Sequence, residues 1–559
     1  MLIVVTGVAR SGKTTIGSEL GRRLALPFLD VTALSTLSDE ERARLSAGNL
    51  VISLASTSGE EDAQLSTMRP QLRVVLKLSR AEAERRVQPS GSELTEFKLP
   101  SEPPGALVIP ANLAPTEIVE RVLRRLIALG HPAGHRLHFA EGSRYSVIDS
   151  QRAGELLDEL LERLGPMRRV LLVPPDFTRF HSGAGALTSM LYARLAGKAT
   201  VEVLPALGTH APMTEAEISE MFPGVPSSCF RVHEWRHGLS MLGEVPSSYV
   251  REVSRGLLDY SIRCEVDARL TAGWDRIISI GQLVPHEVIG IAGHDKNIFV
   301  GTGGKDVIDR THYLGAVCGM ESIMGRAQSP VRDVLRYMAG SLASHLPITH
   351  LVSVRERMAN GEMQTRGLFA GDDYACFAAG APLVQACNLE LFEKPLKKVV
   401  VYLDPSEFKS TWLGNKSVYR TRMVLADAGE LLVLAPGVHR FGEDQGIDKL
   451  IRRHGYHGTP RTLEAVAADP ELGNSLSAAA HLIHGSSEGR FSITYAAGGL
   501  SKQETEGVGY QYRDADEAMR RYDPTKLKAG MNTMPDGEEI FFVPNPAVGL
   551  WGLRSQFAD

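Results

Sequence analysis

Apolar residues come in short blocks along this chain, and the blocks alternate with longer, mixed stretches. Consecutive aliphatic residues at 2–6 (LIVVT), Leu50–Leu54, Leu72–Leu78 and Ala106–Ile109 read as buried strands. Between them, 14–25 (TTIGSELGRRLA), Ala81–Val87 and Pro115–Leu129 read as helices. This alternation predicts a small parallel α/β domain over residues 1–130, closed by the linker GHPAGHR. The pattern restarts near His138. A helix-like run, RAGELLDELLERLG, precedes strand-like VLLVPP and TVEVLPA, each ending in a loop with polar groups. Open α/β sheets place ligands in such loops. A further strand–helix–strand section begins near Lys397 with VVVYLDP and reaches ELLVLAP. The expected fold class is therefore α/β throughout: a parallel-sheet domain, then a two-domain α/β unit divided as 138–395 and 396–559.

Composition narrows the classes. A length of 559 residues suits about three domains. A net charge of −5 argues against a dedicated nucleic-acid binder, which carries a basic surplus. Five cysteines without a C-x-x-C pair point to a reducing compartment, with neither a disulfide framework nor a thiolate zinc site. MLIVVTGVA has no basic segment before it and no cleavage-like site after it, so it reads as a first strand and not as a signal peptide. No stretch approaches the roughly 20 apolar residues of a membrane helix. The expected location is cytoplasmic.

Gly7-Val8-Ala9-Arg10-Ser11-Gly12-Lys13-Thr14 fits G-x-x-x-x-G-K-[ST] between a strand and a helix. Gly7 and Gly12 let backbone N–H groups turn inward around phosphate oxygens. Lys13 would reach the β- and γ-phosphates of ATP, and Thr14 would hold Mg²⁺. With ALPFLD and the late segment SEPPGALVIPANLAPTEIVERVL, residues 1–129 resemble the gluconate-kinase and shikimate-kinase group of small P-loop kinases. Two features depart from that group. The region after the third strand is acidic (ASTSGEEDAQLS), and the lid-like segment holds only Arg85 and Arg86. The expectation is a nucleotide-binding, P-loop kinase-like domain that has degenerated as a kinase.

The densest chemistry lies further on. Asp176 and Arg179 sit in PPDFTRFHSG, His210 in LPALGTHAPMTEAEI, and His286, Lys296 and His312 within GQLVPHEVIGIAGHDKNIFVGTGGKDVIDRTHYLG. Imidazoles near neutrality take or give protons, and two of them facing one carbon could serve either stereoisomer. A loop lysine can be a Schiff base, a phosphate contact or a covalent cofactor anchor. Arg179 could grip a carboxylate or phosphate with two parallel hydrogen bonds. Residue chemistry alone describes a site for a small anionic hydroxy- or oxo-compound.

The order and spacing of these motifs over residues 138–559 also resemble the nickel-dependent lactate racemases and their 2-hydroxyacid racemase and epimerase relatives. The resemblance implies a racemase-like unit and a nickel-pincer nucleotide, a pyridinium mononucleotide whose sulfur groups hold nickel. It implies that Lys296 tethers this cofactor covalently and that His312 ligates the metal. His210 and His286 match the paired bases, while Asp176 and Arg179 match residues that orient substrate or cofactor. Lys416 matches a later lysine that the resemblance implies binds the cofactor, with Leu413 where the family pattern has a glutamine expected to contact substrate or cofactor. The partners it implies are a small hydroxy-acid substrate and the enzymes that mature the cofactor. His294 and Asp295, directly before Lys296, replace a glycine-rich pattern and are expected to touch substrate or cofactor, moving specificity away from lactate. The kinase-like front domain suggests a sugar acid such as gluconate, epimerised at carbon 2.

His233-Glu234-Trp235-Arg236-His237 fits the zinc-protease pattern H-E-x-x-H. CFRV before it reads as a strand and Gly238 follows at once, so a solvated strand-end loop near the active site is expected in place of a metal-binding helix. Two other functions stay open at this point: a nucleotide-binding regulatory protein with decayed catalytic units, and a sugar-acid kinase with an accessory domain.

Overall fold

In the computed structural model the described residues are 2–7, 16–18, 20, 28–31, 50–54, 72–77, 107–110, 118, 122, 137–358, 361–547 and 549–557. Gly12, Lys13 and Thr14, the helix expected at Ala81–Val87, and the linker lie outside them. The chain divides into two compact units. One holds Met1–Leu137 with Ala339–His345 and Gly371–Ala378; the other holds His138–Met338, Leu346–Ala370 and Ala379–Asp559.

The first unit contains a five-stranded sheet in the order Phe28–Val31, Leu50–Leu54, Leu2–Gly7, Leu72–Lys77, Leu107–Pro110. Every pairing in it is parallel. Gly7 ends the central strand, where the phosphate-loop motif begins. Ile16 and Leu20 are helical and buried, as are Ile118 and Val122. Each pair is four residues apart, which places it on one helix face.

The second unit is built on two six-stranded sheets. The first runs Leu137–Gly142, Met363–Gly371, Ile348–Arg357, Arg276–Leu283, Arg169–Val173, Thr200–Val203. The pairings of Arg276–Leu283 with Ile348–Arg357 and Arg169–Val173, and of the latter with Thr200–Val203, are parallel. The helix Ser150–Leu164 is the one expected from RAGELLDELLERLG. Asp149 caps it by accepting the Arg152 N–H at 2.8 Å, and Gly165 ends it at φ 73°. Leu156, Leu157 and Leu160 bury its apolar face in a core shared with Val170 and Leu172.

The second sheet runs Gln511–Tyr512, Ser492–Ala497, Leu425–Ala435, Leu396–Tyr402, Glu539–Val543, Gly530–Thr533, parallel except for its last strand. Val399 and Val401 face one core cluster while Val400 faces another. That alternation explains the unbroken apolar run: successive side chains point to opposite faces, and both faces are covered. Among the described residues no helix is long and apolar enough to cross a membrane.

Candidate active site

Three neighbouring parallel strands deliver the site. Arg169–Val173 leads to Asp176 and Arg179, Thr200–Val203 to His210, and Arg276–Leu283 to His286. All these residues leave from strand C-termini, where the backbone turns out of the sheet and exposes polar groups. Pro175 bridges Ala206, and the Gly208 N–H donates to the Gly301 carbonyl at 2.8 Å, tying the loops together.

Lys296 follows on the short helix Asp295–Phe299. Asn297 fastens this helix to two neighbouring strands. Its Nδ2 donates to the Val173 carbonyl at 2.8 Å and to Ser279 Oγ at 3.1 Å. His312 comes from the helix Lys305–Val317, which approaches the His286 loop closely. A Cβ on Gly315 would lie 2.6 Å from the Val288 carbonyl oxygen, so only glycine allows this contact.

His286 sits in a tight hairpin, Pro285–His286 against Gly290–Ile291. Gly290 turns it at φ +86°, and a Cβ there would stand 2.1 Å from the Arg326 carbonyl oxygen. Gly290→Ala is therefore expected to lower stability by about 1–3 kcal/mol or more, from backbone strain and the clash together. Urea unfolding would measure it, and an unchanged midpoint would contradict the strained turn.

The two histidines are held differently. His210 Nδ1 lies 2.7 Å from Asp176 Oδ2, while Thr178 Oγ1 donates to Asp176 Oδ1 at 2.8 Å. Burial raises the Asp176 pKa, but His210, Arg179 and Thr178 outweigh it and keep the carboxylate ionised. A carboxylate only accepts, so His210 Nδ1 carries the proton and Nε2 presents a lone pair. His286 Nδ1 instead accepts the Val288 N–H at 3.1 Å, which leaves the proton on Nε2. Burial drives its pKa well below the ordinary imidazole value, and Lys296, Arg420 and His312 add to this against Glu287, so the ring is neutral.

Lys296 is half-buried, and its Nζ has no hydrogen bond or ion pair among the described residues. Burial, then the charge of Arg179, lowers its pKa to about 8. Such a lysine has a sizeable neutral, nucleophilic fraction near neutrality. His312 Nδ1 donates to the Ile308 carbonyl at 2.6 Å, which leaves Nε2 bare. Burial and the Lys296 charge lower its pKa, so it is a neutral imidazole with one ring nitrogen fixed, the form that ligates a transition metal.

Lys416 begins the helix Lys416–Thr421 in the second half of the unit and joins the same electrostatic neighbourhood. Burial and Arg179 lower its pKa to about 8, with Arg420 adding and Glu407 and Glu287 opposing. The structure thus brings Asp176, Arg179, His210, His286, Lys296, His312 and Lys416 to one region.

It adds residues that sequence reasoning missed. Glu287 lies 3.6 Å from His286 Nδ1. Burial raises its pKa, but the Arg420 guanidinium, the polar His286 ring beside it and its own backbone N–H outweigh this and hold the carboxyl below its usual range. His484, buried, is pushed down to about 4 by burial and lies in the neighbourhood of Glu287 and His312. Glu287 was legible as the neighbour of His286, and Arg420 as one turn beyond Lys416. His484 carried no such signal.

Two expectations need correction. His294 and Asp295 are turned into the packed interior: His294 stacks on His350 at 3.6 Å between ring centroids, and its Nδ1 lies 3.0 Å from Asp295 Oδ1. His350 Nε2 is 3.5 Å from the same oxygen. These three groups have the types to hold a metal ion, but the Arg332 charge already acts on Asp295. The H-E-x-x-H segment is indeed not a helix, but His233 is buried and not solvated. Its Nδ1 is 3.1 Å from Asp267 Oδ2 and its Nε2 is 3.1 Å from the Gly303 carbonyl. CFRV forms a 3₁₀ turn at Ser227–Cys229 and a single bridge from Phe230 to Val203 in place of a strand.

The fold and site define a mixed α/β protein with two histidines on loops after strand C-termini and a lysine and a third imidazole on adjoining helices. Residues 155–325 match the Lactate racemase N-terminal domain family. No curated protein matches the chain by sequence. Among solved structures, the chain is similar to a protein from Thermotoga maritima, with 24% identity, TM-score 0.63, and coverage of 73% of this chain and 98% of that one. It is also similar in fold to the lactate racemase apoprotein from Thermoanaerobacterium thermosaccharolyticum, with 15% identity, TM-score 0.52, and coverage of 70% of this chain and 88% of that one.

Proposed function

We propose that this protein is a nickel-pincer-nucleotide-dependent isomerase that inverts the C2 hydroxyl of a 2-hydroxy acid, with a sugar acid such as gluconate as the first candidate. The observation that carries this reading is the pairing of an Asp176-backed His210 with a neutral His286 beside an unpaired Lys296. The residues fit the cofactor's needs: an amine to tether it at Lys296 and a neutral imidazole with a free Nε2 at His312. When bound, the group would supply a reversible hydride acceptor for the carbon bearing the hydroxyl.

The protein's own part is proton transfer and positioning. Arg179 and Lys416 would hold the substrate carboxylate through charge-assisted hydrogen bonds. His210 Nε2 would take the hydroxyl proton, with the Asp176 carboxylate stabilising the imidazolium that forms. Loss of hydride from the same carbon leaves a planar 2-oxo acid. His286, whose Nε2 carries the proton, would be the proton donor to the oxygen of that species. Because that carbon would be planar, a proton supplied by the second histidine would accompany formation of the other stereoisomer. The front loop would bind ATP with Mg²⁺, a role separate from this chemistry.

The test uses protein produced together with the cofactor-maturation enzymes. Incubation with gluconate should yield its C2 epimer, read by chromatography, and intact mass should show an adduct on Lys296. Epimerisation by protein of unmodified mass would refute the cofactor assignment.

A further inference from the structure

Arg420 is 3% exposed, and neither its Nε nor its Nη1 has a hydrogen-bond partner. No ion pair reaches it among the described residues. Two residues later Arg422, equally buried, is fully engaged: its Nε donates to Glu321 Oε1 at 3.0 Å and its Nη1 to the Ser486 carbonyl at 3.1 Å. A buried guanidinium left unpaired costs several kcal/mol, so its retention calls for a ligand that pairs it. Arg420 lies four residues after Lys416 on one helix, which puts both side chains on one face. The negative charge of Glu287 and the positive charge of Arg179 both act on it. Glu287 itself adjoins His286 and makes no ion pair with Arg420.

One carboxylate is served by Arg179 and Lys416. The remaining groups, Arg420 and Glu287, lie within electrostatic reach of one another and offer donors and an acceptor. A second carboxylate or a phosphate would satisfy Arg420 but meet the charge of Glu287. An alkyl chain would strip water from both groups and replace nothing. Hydroxyl groups donate to the carboxylate and accept from the guanidinium, and so satisfy both. We propose that Arg420 and Glu287 form a specificity pair that reads hydroxyl groups on the substrate carbons beyond the reacting one, which makes a polyhydroxylated 2-hydroxy acid the substrate class. This rests on the reading of the site as a 2-hydroxy-acid centre, and it names the side chains that set its selectivity.

The experiment measures binding by calorimetry to protein bearing the Lys296 adduct, with gluconate, 2-hydroxyhexanoate of the same chain length, and malate as probes. Gluconate should bind at least about 100-fold more tightly than 2-hydroxyhexanoate, because the latter leaves the buried Arg420 and the half-buried Glu287 without hydrogen-bond partners. Arg420→Met and Glu287→Gln should each shrink that preference to within about tenfold. Glu287→Gln is nearly isosteric and keeps the test decisive if Arg420→Met fails to fold. Equal binding of gluconate and 2-hydroxyhexanoate by the wild type would overturn the proposal, as would tightest binding of malate. So would variants that weaken all three acids equally, or an Arg420→Met protein that loses the adduct while keeping its preference among the acids. Turnover is scored separately: absence of any new epimer would refute the epimerase reading, while the binding preference still decides the role of the pair.

Discussion

Lys296→Ala is expected to abolish epimerisation and to leave the protein at its unmodified mass after production with the cofactor-maturation enzymes. The expectation follows from the state of the amine. Lys296 is half-buried, has no partner for Nζ among the described residues, and titrates at about 8, so near that pH about half of it is a free nucleophile. Asn297, the next residue, bonds to the end of one strand and the middle of its neighbour and fixes the helix that carries Lys296. Lys416 is the natural control, since its pKa is also lowered to about 8. It stands on a different helix, so Lys416→Ala should keep the adduct mass. An adduct that persists in Lys296→Ala, or that disappears only in Lys416→Ala, would move the tether.

Asp176→Asn should lower kcat by about 10²–10⁴ while the protein stays folded. The 2.7 Å contact with His210 Nδ1 fixes the tautomer in which Nε2 is bare. An amide in that place can present its N–H₂ to Nδ1, which would shift the proton to Nε2 and disable the base. It would also remove the charge that stabilises the imidazolium. The change is nearly isosteric, and Thr178 can still donate to the amide oxygen, so the loss should fall on kcat more than on stability. A kcat within tenfold of the wild type would show that His210 is not the base.

Much of the fold could be read along the chain because parallel strands covered on both faces leave unbroken apolar runs. Leu50–Leu54 was predicted with its observed ends, and VVVYLDP and ELLVLAP fell within Leu396–Tyr402 and Leu425–Ala435 or ran just past them. CFRV misled because a short mixed run carries no period long enough to separate a strand from a turn. His294 and Asp295 misled for a different reason. Adjacency to Lys296 suggested a shared site, but consecutive residues at a helix start diverge by roughly 100° around the axis. His294, at φ 59°, and Asp295 went inward against His350, while Lys296 stayed half-buried.

By itself the sequence determined the α/β class, the loops that follow strand ends and the chemical types gathered there. Those depend on local periodicity and on residues close together in the chain. Which groups share a space was decided only by the tertiary structure. The helices Lys305–Val317 and Leu476–His484 pack together through Ala316, Ala480 and Ile483, and this brings His484 to the neighbourhood of His312 and Glu287. The fold likewise brings Arg420, on the helix Lys416–Thr421, within electrostatic reach of Glu287 without an ion pair between them. A buried charge has meaning only relative to what surrounds it, and those surroundings come from both halves of the folded unit.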